Sequence, residues 1–141
     1  MPMRDARVAE AIQREVLARD GRYALEAYEF VLDAWQHTQR LLGRPLPREK
    51  LEEAPNYHLS GRQLLEGIRD LALREFGLMA RMVFARWGVQ RTDDFGDIVF
   101  NLIEAELMSK TDEDSRADFH AVYDLDEALT RQYEIKLEDL D

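Results

Sequence analysis

Apolar residues recur along this chain at three- and four-residue intervals, interrupted by glycine and proline at a few places, and that rhythm predicts helices. Val8, Ile12 and Val16 repeat every four residues among charges, so a first helix is expected from about Arg4 to Ala18, ended by Asp20-Gly21. A second begins near Tyr23, where Ala24, Ala27, Tyr28, Val31, Trp35, Thr38 and Leu42 form one stripe that stops at Gly43. From Arg44 to Leu59 the stretch RPLPREKLEEAPNYHL holds three prolines and no sustained period, which reads as a connector over the surface.

Ser60 opens a third helix with Gln63 three residues on, the spacing at which each side chain satisfies the other's orphan backbone N–H. Leu64, Leu65, Ile68, Ala72 and Phe76 make its buried face, and Gly77 breaks it. Met79, Met82, Val83 and Trp87 mark a short fourth helix that closes at Gly88. Thr92 is placed to cap a fifth, with Phe95, Ile98, Val99, Leu102 and Ile103 inward and Asp93, Asp94, Asp97, Asn101 and Glu104 mostly on the other side. After Leu107 the run SKTDEDSRAD is polar. Phe119, Ala121, Tyr123 and Leu125 then alternate with His120, Val122 and Asp124 as a short strand would, ahead of a last short helix from Asp126 to about Tyr133 and an acidic tail, Glu134 to Asp141.

The expected fold is therefore mainly α: a single-domain helical bundle of about five to six helices over residues 1–141, with a helical pair (1–43), a connector (44–59) and a second half (60–125). The order of elements in that half resembles a winged helix-turn-helix, with Gly88-Val89 as the turn, the fifth helix as the recognition helix and a short β-hairpin tipped by Thr111 to Asp118. A compact helix bundle with the same spacing is the alternative. Trp35 and Trp87, the largest members of their stripes, are expected to be largely buried.

Composition narrows the class. With 45% apolar and 34% charged residues, 7 Gly and 4 Pro, the chain suits a water-soluble helical domain. Cysteine is absent, which removes disulfides, thiolate metal sites and cysteine nucleophiles. No stretch approaches the roughly 20 apolar residues of a membrane span, and the first residues carry no apolar run of signal-peptide length, so a cytoplasmic protein without membrane association is expected. The net charge of −10 is uneven: residues 1–91 carry 15 basic and 13 acidic side chains, residues 92–141 carry 4 and 16. Such a half repels phosphate and attracts basic surfaces.

That asymmetry decides against duplex DNA even for a winged helix, because the helix that would enter the groove carries Asp93, Asp94, Asp97 and Glu104, and the wing Asp112, Glu113, Asp114 and Asp118. The basic residues lie elsewhere, at Arg62, Arg69, Arg74, Arg81, Arg86 and Arg91, with Glu66, Asp70 and Glu75 at ion-pair spacing among them. Thr111 to Glu127 is carboxylate-rich, but an EF-hand needs other residues where Arg116 and Ala117 stand. His37, His58 and His120 are far apart, with no ligand spacing between them. No G-x-S-x-G, P-loop or G-x-G-x-x-G occurs, and Ser60-Gly61-Arg62 is accounted for by capping.

Four segments, DGRYALEAYEFVLDAW, HLSGRQLLEGIRDLALREFG, RTDDFGDIVFNLIEAEL and SKTDEDSRADFHAVYD, together resemble a family of short bacterial proteins of unknown function, over most of residues 20–125. Residues 44–57 are longer than the linker usual there. The resemblance implies a bacterial cytosolic domain and no activity, and no functional residues carry over from it.

The leading expectation is a non-enzymatic protein–protein interaction module that binds a basic protein through an acidic and aromatic surface of Asp93, Asp94, Asp97, Asn101, Glu104, Asp112, Asp114, Asp118 and Tyr123. No cofactor, metal or catalytic residue is assigned. The second expectation is a nucleic-acid-associated regulator using the arginines of the third and fourth helices, and the third an enzyme of unrecognised type.

Overall fold

The computed structural model describes residues 6–44, 59–108 and 116–129. Among them are five α-helices and a single-turn sixth, with no strand. Helix α1 (Ala6–Ile12) widens without a break into a π turn, Gln13–Leu17, and this turn sets Ile12 and Val16 side by side in the core. Helix α2 (Leu25–Leu41) starts where the Ala24 N–H leaves the helix pattern and donates to the Trp87 carbonyl at 3.1 Å.

Helix α3 (Gly61–Phe76) starts on the expected capping box: the Gln63 N–H donates to Ser60 Oγ at 3.0 Å, and the Ser60 N–H to Gln63 Oε1 at 2.9 Å. Among the described residues, helices α2 and α3 share the most extensive contact. They meet nearly backbone to backbone, for a Cβ on Gly67 would overlap the Thr38 hydroxyl and stand 2.8 Å from Thr38 Cβ.

Gly77, at φ +54, stops α3. A 3-10 turn, Gly77–Met79, leads into α4 (Ala80–Arg86), which sends Ala80 and Phe84 inward. Phe84 joins Phe30, Phe76, Phe95 and Trp87 in an aromatic cluster with ring centroids 5.1–5.8 Å apart. Gly88 turns the chain at φ +92, pressed against the Arg22 carbonyl, so the turn expected at Gly88-Val89 is present. Both tryptophans are only partly buried: Trp87 edges the aromatic cluster and Trp35 packs on the core from outside.

Helix α5 (Thr92–Glu104) buries Phe95, Ile98, Val99 and Leu102 against the rest of the core. Thr92 does not cap it. Arg91 occupies the N-cap position, and Asp94 Oδ2 accepts the backbone N–H groups of Gln90 (2.7 Å) and Arg91 (3.0 Å). The buried Thr92 hydroxyl instead donates to the Phe119 carbonyl at 2.7 Å and accepts the Val122 N–H at 3.1 Å.

Those bonds correct the expected wing. Residues Arg116–Phe119 form a 3-10 turn, Ala121 sits at φ +47, and α6 (Leu125–Ala128) follows, capped by Asp124. A strand needs its N–H groups facing a neighbouring strand, whereas here Ala121 and Val122 donate to the side chains of Asp93 and Thr92. Phe119 inserts between two glycines: a Cβ on Gly96 would lie 2.9 Å from Phe119 Cβ, and one on Gly61 would lie 2.8 Å from Asp118 Cβ and 3.1 Å from the Phe119 ring. Most of the expected hairpin tip, and all of the connector except Arg44 and Leu59, lie outside the described residues.

Candidate interaction surface

The polar side of α5 is built by the turn between the π turn and α2. Asp20 is its hub: Arg22 donates to it from Nη2 (2.7 Å), Nε (2.9 Å) and its backbone N–H (3.1 Å), and Asn101 Nδ2 donates at 3.0 Å. The Arg22 side-chain bonds hold the Asp20 carboxyl well below the usual carboxylate range, although partial burial acts the other way. Asn101 is buried and also donates to the Tyr28 hydroxyl at 3.0 Å. The buried Tyr23 places its hydroxyl between Asp94 Oδ1 (2.8 Å) and Asp97 Oδ2 (3.0 Å), and burial first, then these two carboxylates, raises its pKa far above that of free tyrosine.

The sequence-predicted acids are thus divided. Asp93, Asp94, Asp97 and Asn101 are joined to the turn or to the 116–123 segment, with Asp93 bonded to His120 Nδ1 at 2.7 Å. That contact, the largest influence on it, lowers the Asp93 pKa. Glu104 stays exposed and pairs with Arg19 at 3.0 Å. Asp118 is exposed, while Tyr123 donates to the Leu65 carbonyl at 2.6 Å with the Arg69 guanidinium 5.7 Å from its ring centre. Asp112 and Asp114 lie outside the described residues.

The arginines are divided in the same way. Arg69 is buried and bonded to Glu66, Arg74 donates to Asp70 at 2.7 Å, and Arg81 reaches Asp126 (2.7 Å), Gln90 and the Val89 carbonyl. Arg62, Arg86 and Arg91 remain exposed. Of the histidines, His37 faces Asp70 at 2.7 Å and His120 faces Asp93, both partners far off in sequence; His58 is outside the described residues. No group of three or more His, Asp or Glu able to hold a metal occurs among the described residues.

What the sequence did not reveal is the outer side of α4. Met79 and Met82, which mark the fourth helix in the sequence, stand 53% and 55% exposed beside Leu78 at 76%. Partly exposed Val83 and Trp87 follow Met79 at i+4 steps, and partly exposed Phe76 stands on the other side of the Gly77 break, so Leu78, Met79 and Met82 make an exposed apolar ridge next to members of the aromatic cluster. Arg74 and Glu75 precede it in the chain and Arg86 follows it, all three exposed. A signal for it existed in Leu78-Met79 immediately after the helix-breaking Gly77, where large side chains at a corner have little to pack on.

The chain matches no known family, no curated protein and no solved structure. No helix among the described residues is long and apolar enough to cross a membrane.

Proposed function

We propose that this protein is a non-catalytic interaction module whose contact surface is the apolar ridge of Leu78, Met79 and Met82. The observation that carries the reading is their exposure: three large apolar side chains share one corner in contact with water, where single scattered ones would be unremarkable. Methionine suits such a surface, since its unbranched thioether adapts to different partners. The acidic surface first expected to bind a basic protein is the weaker candidate, because a ligand for Asp94 or Asp97 would compete with Tyr23. The nucleic-acid reading loses Arg69 and Arg81 to internal partners. Ser60, the most tempting nucleophile, has its oxygen engaged by the Gln63 N–H. A bacterial cytosolic setting, implied by the family resemblance, belongs to the same proposal.

The test is a photo-crosslinking amino acid placed at Leu78 in the native cell, with one at the exposed Glu26 as control. A discrete adduct from position 78, lost on Met82→Glu and absent from position 26, is expected. Adducts of equal pattern from both positions, or none from position 78, would refute the reading.

A further inference from the structure

Cysteine is absent, so methionine supplies all the sulfur chemistry of this chain, and two of the three described methionines stand at one exposed corner. Met79 occupies the N-cap of α4 and Met82 follows three residues on, a spacing that makes side chains neighbours on one side of a helix. Both are more than half exposed, whereas Met108 is partly buried against the core. We propose that Met79 and Met82 form a paired, reversible oxidation site that switches the apolar ridge off. The inference rests on the interaction reading above and adds the regulation of that same surface.

The oxidant is a peroxide. A lone pair on the thioether sulfur attacks one peroxide oxygen, an S–O bond forms as the O–O bond breaks, and the other oxygen leaves as water with both protons. Sulfur loses two electrons and the peroxide gains them. A thiol-dependent sulfoxide reductase reverses the step, two thiols becoming a disulfide while the oxygen leaves as water. The sulfoxide replaces an adaptable apolar side chain by a polar one, so two of the three ridge residues lose the property on which an apolar contact depends. Leu78 alone is left unchanged.

The place of the two sulfurs in the fold lets this happen without unfolding. Helix α4 is held by Ala80 and Phe84, both buried, and by Arg81, which donates to Asp126 at 2.7 Å. Neither methionine carries that packing, so oxidation alters the surface and spares the core.

The test has two stages. The intact chain is treated with dilute hydrogen peroxide, and sulfoxide at each methionine is followed by mass spectrometry. Met79 and Met82 should oxidise at least about threefold faster than Met108, the product should elute earlier from a hydrophobic-interaction column, and circular dichroism should stay that of the folded protein. The chain carrying the photo-crosslinking amino acid at position 78 is then oxidised, freed of peroxide and irradiated in an extract of the native cell. Its discrete adduct should fall at least about fivefold and return after treatment with sulfoxide reductases for both epimers. In Met79→Leu/Met82→Leu the adduct yield, whatever its starting value, should be the same before and after peroxide.

Oxidation of Met79 and Met82 no faster than Met108 would overturn the proposal, as would loss of the folded spectrum, or an adduct that still falls in the double-leucine variant. An adduct present before oxidation and indifferent to it refutes the switch and leaves the interaction reading standing. No adduct from the unoxidised chain refutes the interaction reading, and the switch with it.

Discussion

Gly67→Ala is the most informative single change, because two effects of opposite sign meet at one atom. In an exposed helix the substitution stabilises by about 1 kcal/mol, the difference in helix propensity between the two residues. Here the added methyl would overlap the Thr38 hydroxyl, which is fully buried and fixed by donating to the Ala34 carbonyl at 2.6 Å. Thr38 Cβ, at 2.8 Å, blocks retreat as well, so rotating the hydroxyl away is not enough. Overpacking of this kind costs about 1–3 kcal/mol and occasionally more. With backbone-borne atoms involved the upper end applies, and after subtracting the propensity gain the net loss should be about 2 kcal/mol. For a chain of this size each kcal/mol moves Tm by about 4 °C, so a fall of about 8 °C is expected. Urea unfolding of Gly67→Ala, Thr38→Ala and the double variant gives the coupling. Thr38→Ala alone should cost about 1 kcal/mol for the lost hydrogen bond, and the double should be less unstable than the sum of the singles by at least about 0.5 kcal/mol. A Gly67→Ala protein as stable as the parent would refute the close crossing of α2 and α3.

Ser60→Ala should lower stability by about 0.5–2 kcal/mol in urea, with Ser60→Asp or Ser60→Thr recovering most of it, since only an oxygen at that position caps α3. Asp20 has a folded-state pKa below its ordinary 3.8, so its contribution is complete above that pH and is lost as pH falls below it. The urea midpoint of the native protein should drop on going from pH 5 to pH 3 more steeply than that of Asp20→Asn, and identical slopes would remove Asp20 from the account. Duplex DNA at physiological salt should show no tight binding by fluorescence anisotropy, and micromolar or better affinity abolished by Arg62→Ala/Arg86→Ala/Arg91→Ala would reverse the ranking of the two functional readings.

The long helices were legible because their signals are redundant. Helix α3 has a reciprocal cap, an apolar stripe and a terminal glycine, and each of the three points to the same boundaries. Helix α4 has only seven residues, too few for the residues that mark it, Met79, Met82, Val83 and Trp87, to say which face is buried, and Ala80 and Phe84 are the residues that enter the core. The alternation from Phe119 to Leu125 has a cause other than a strand. Phe119 and Leu125 are buried for separate reasons, one in the glycine seat and one as the first residue of α6, and a period of two between them carries no sheet. The acids of α5 looked free because their partners, Arg22, Tyr23 and His120, lie 27 to 75 residues away along the chain. Periodicity reports which side of a helix is apolar, but not what packs on the polar side.

The glycine seat of Phe119 bears on the order in which the chain folds. Its walls belong to different helices, Gly61 at the start of α3 and Gly96 in α5, and Thr92 supplies the hydroxyl that closes over it. The Phe119 ring is held by those two helices together, so docking of residues 116–123 is expected to follow their pairing and to fall after the folding barrier. Changes at Phe119 should therefore leave the refolding rate nearly untouched and express almost all their cost as faster unfolding. The segment acts as a clasp, and the lifetime of the native state, rather than the speed of reaching it, is what it governs.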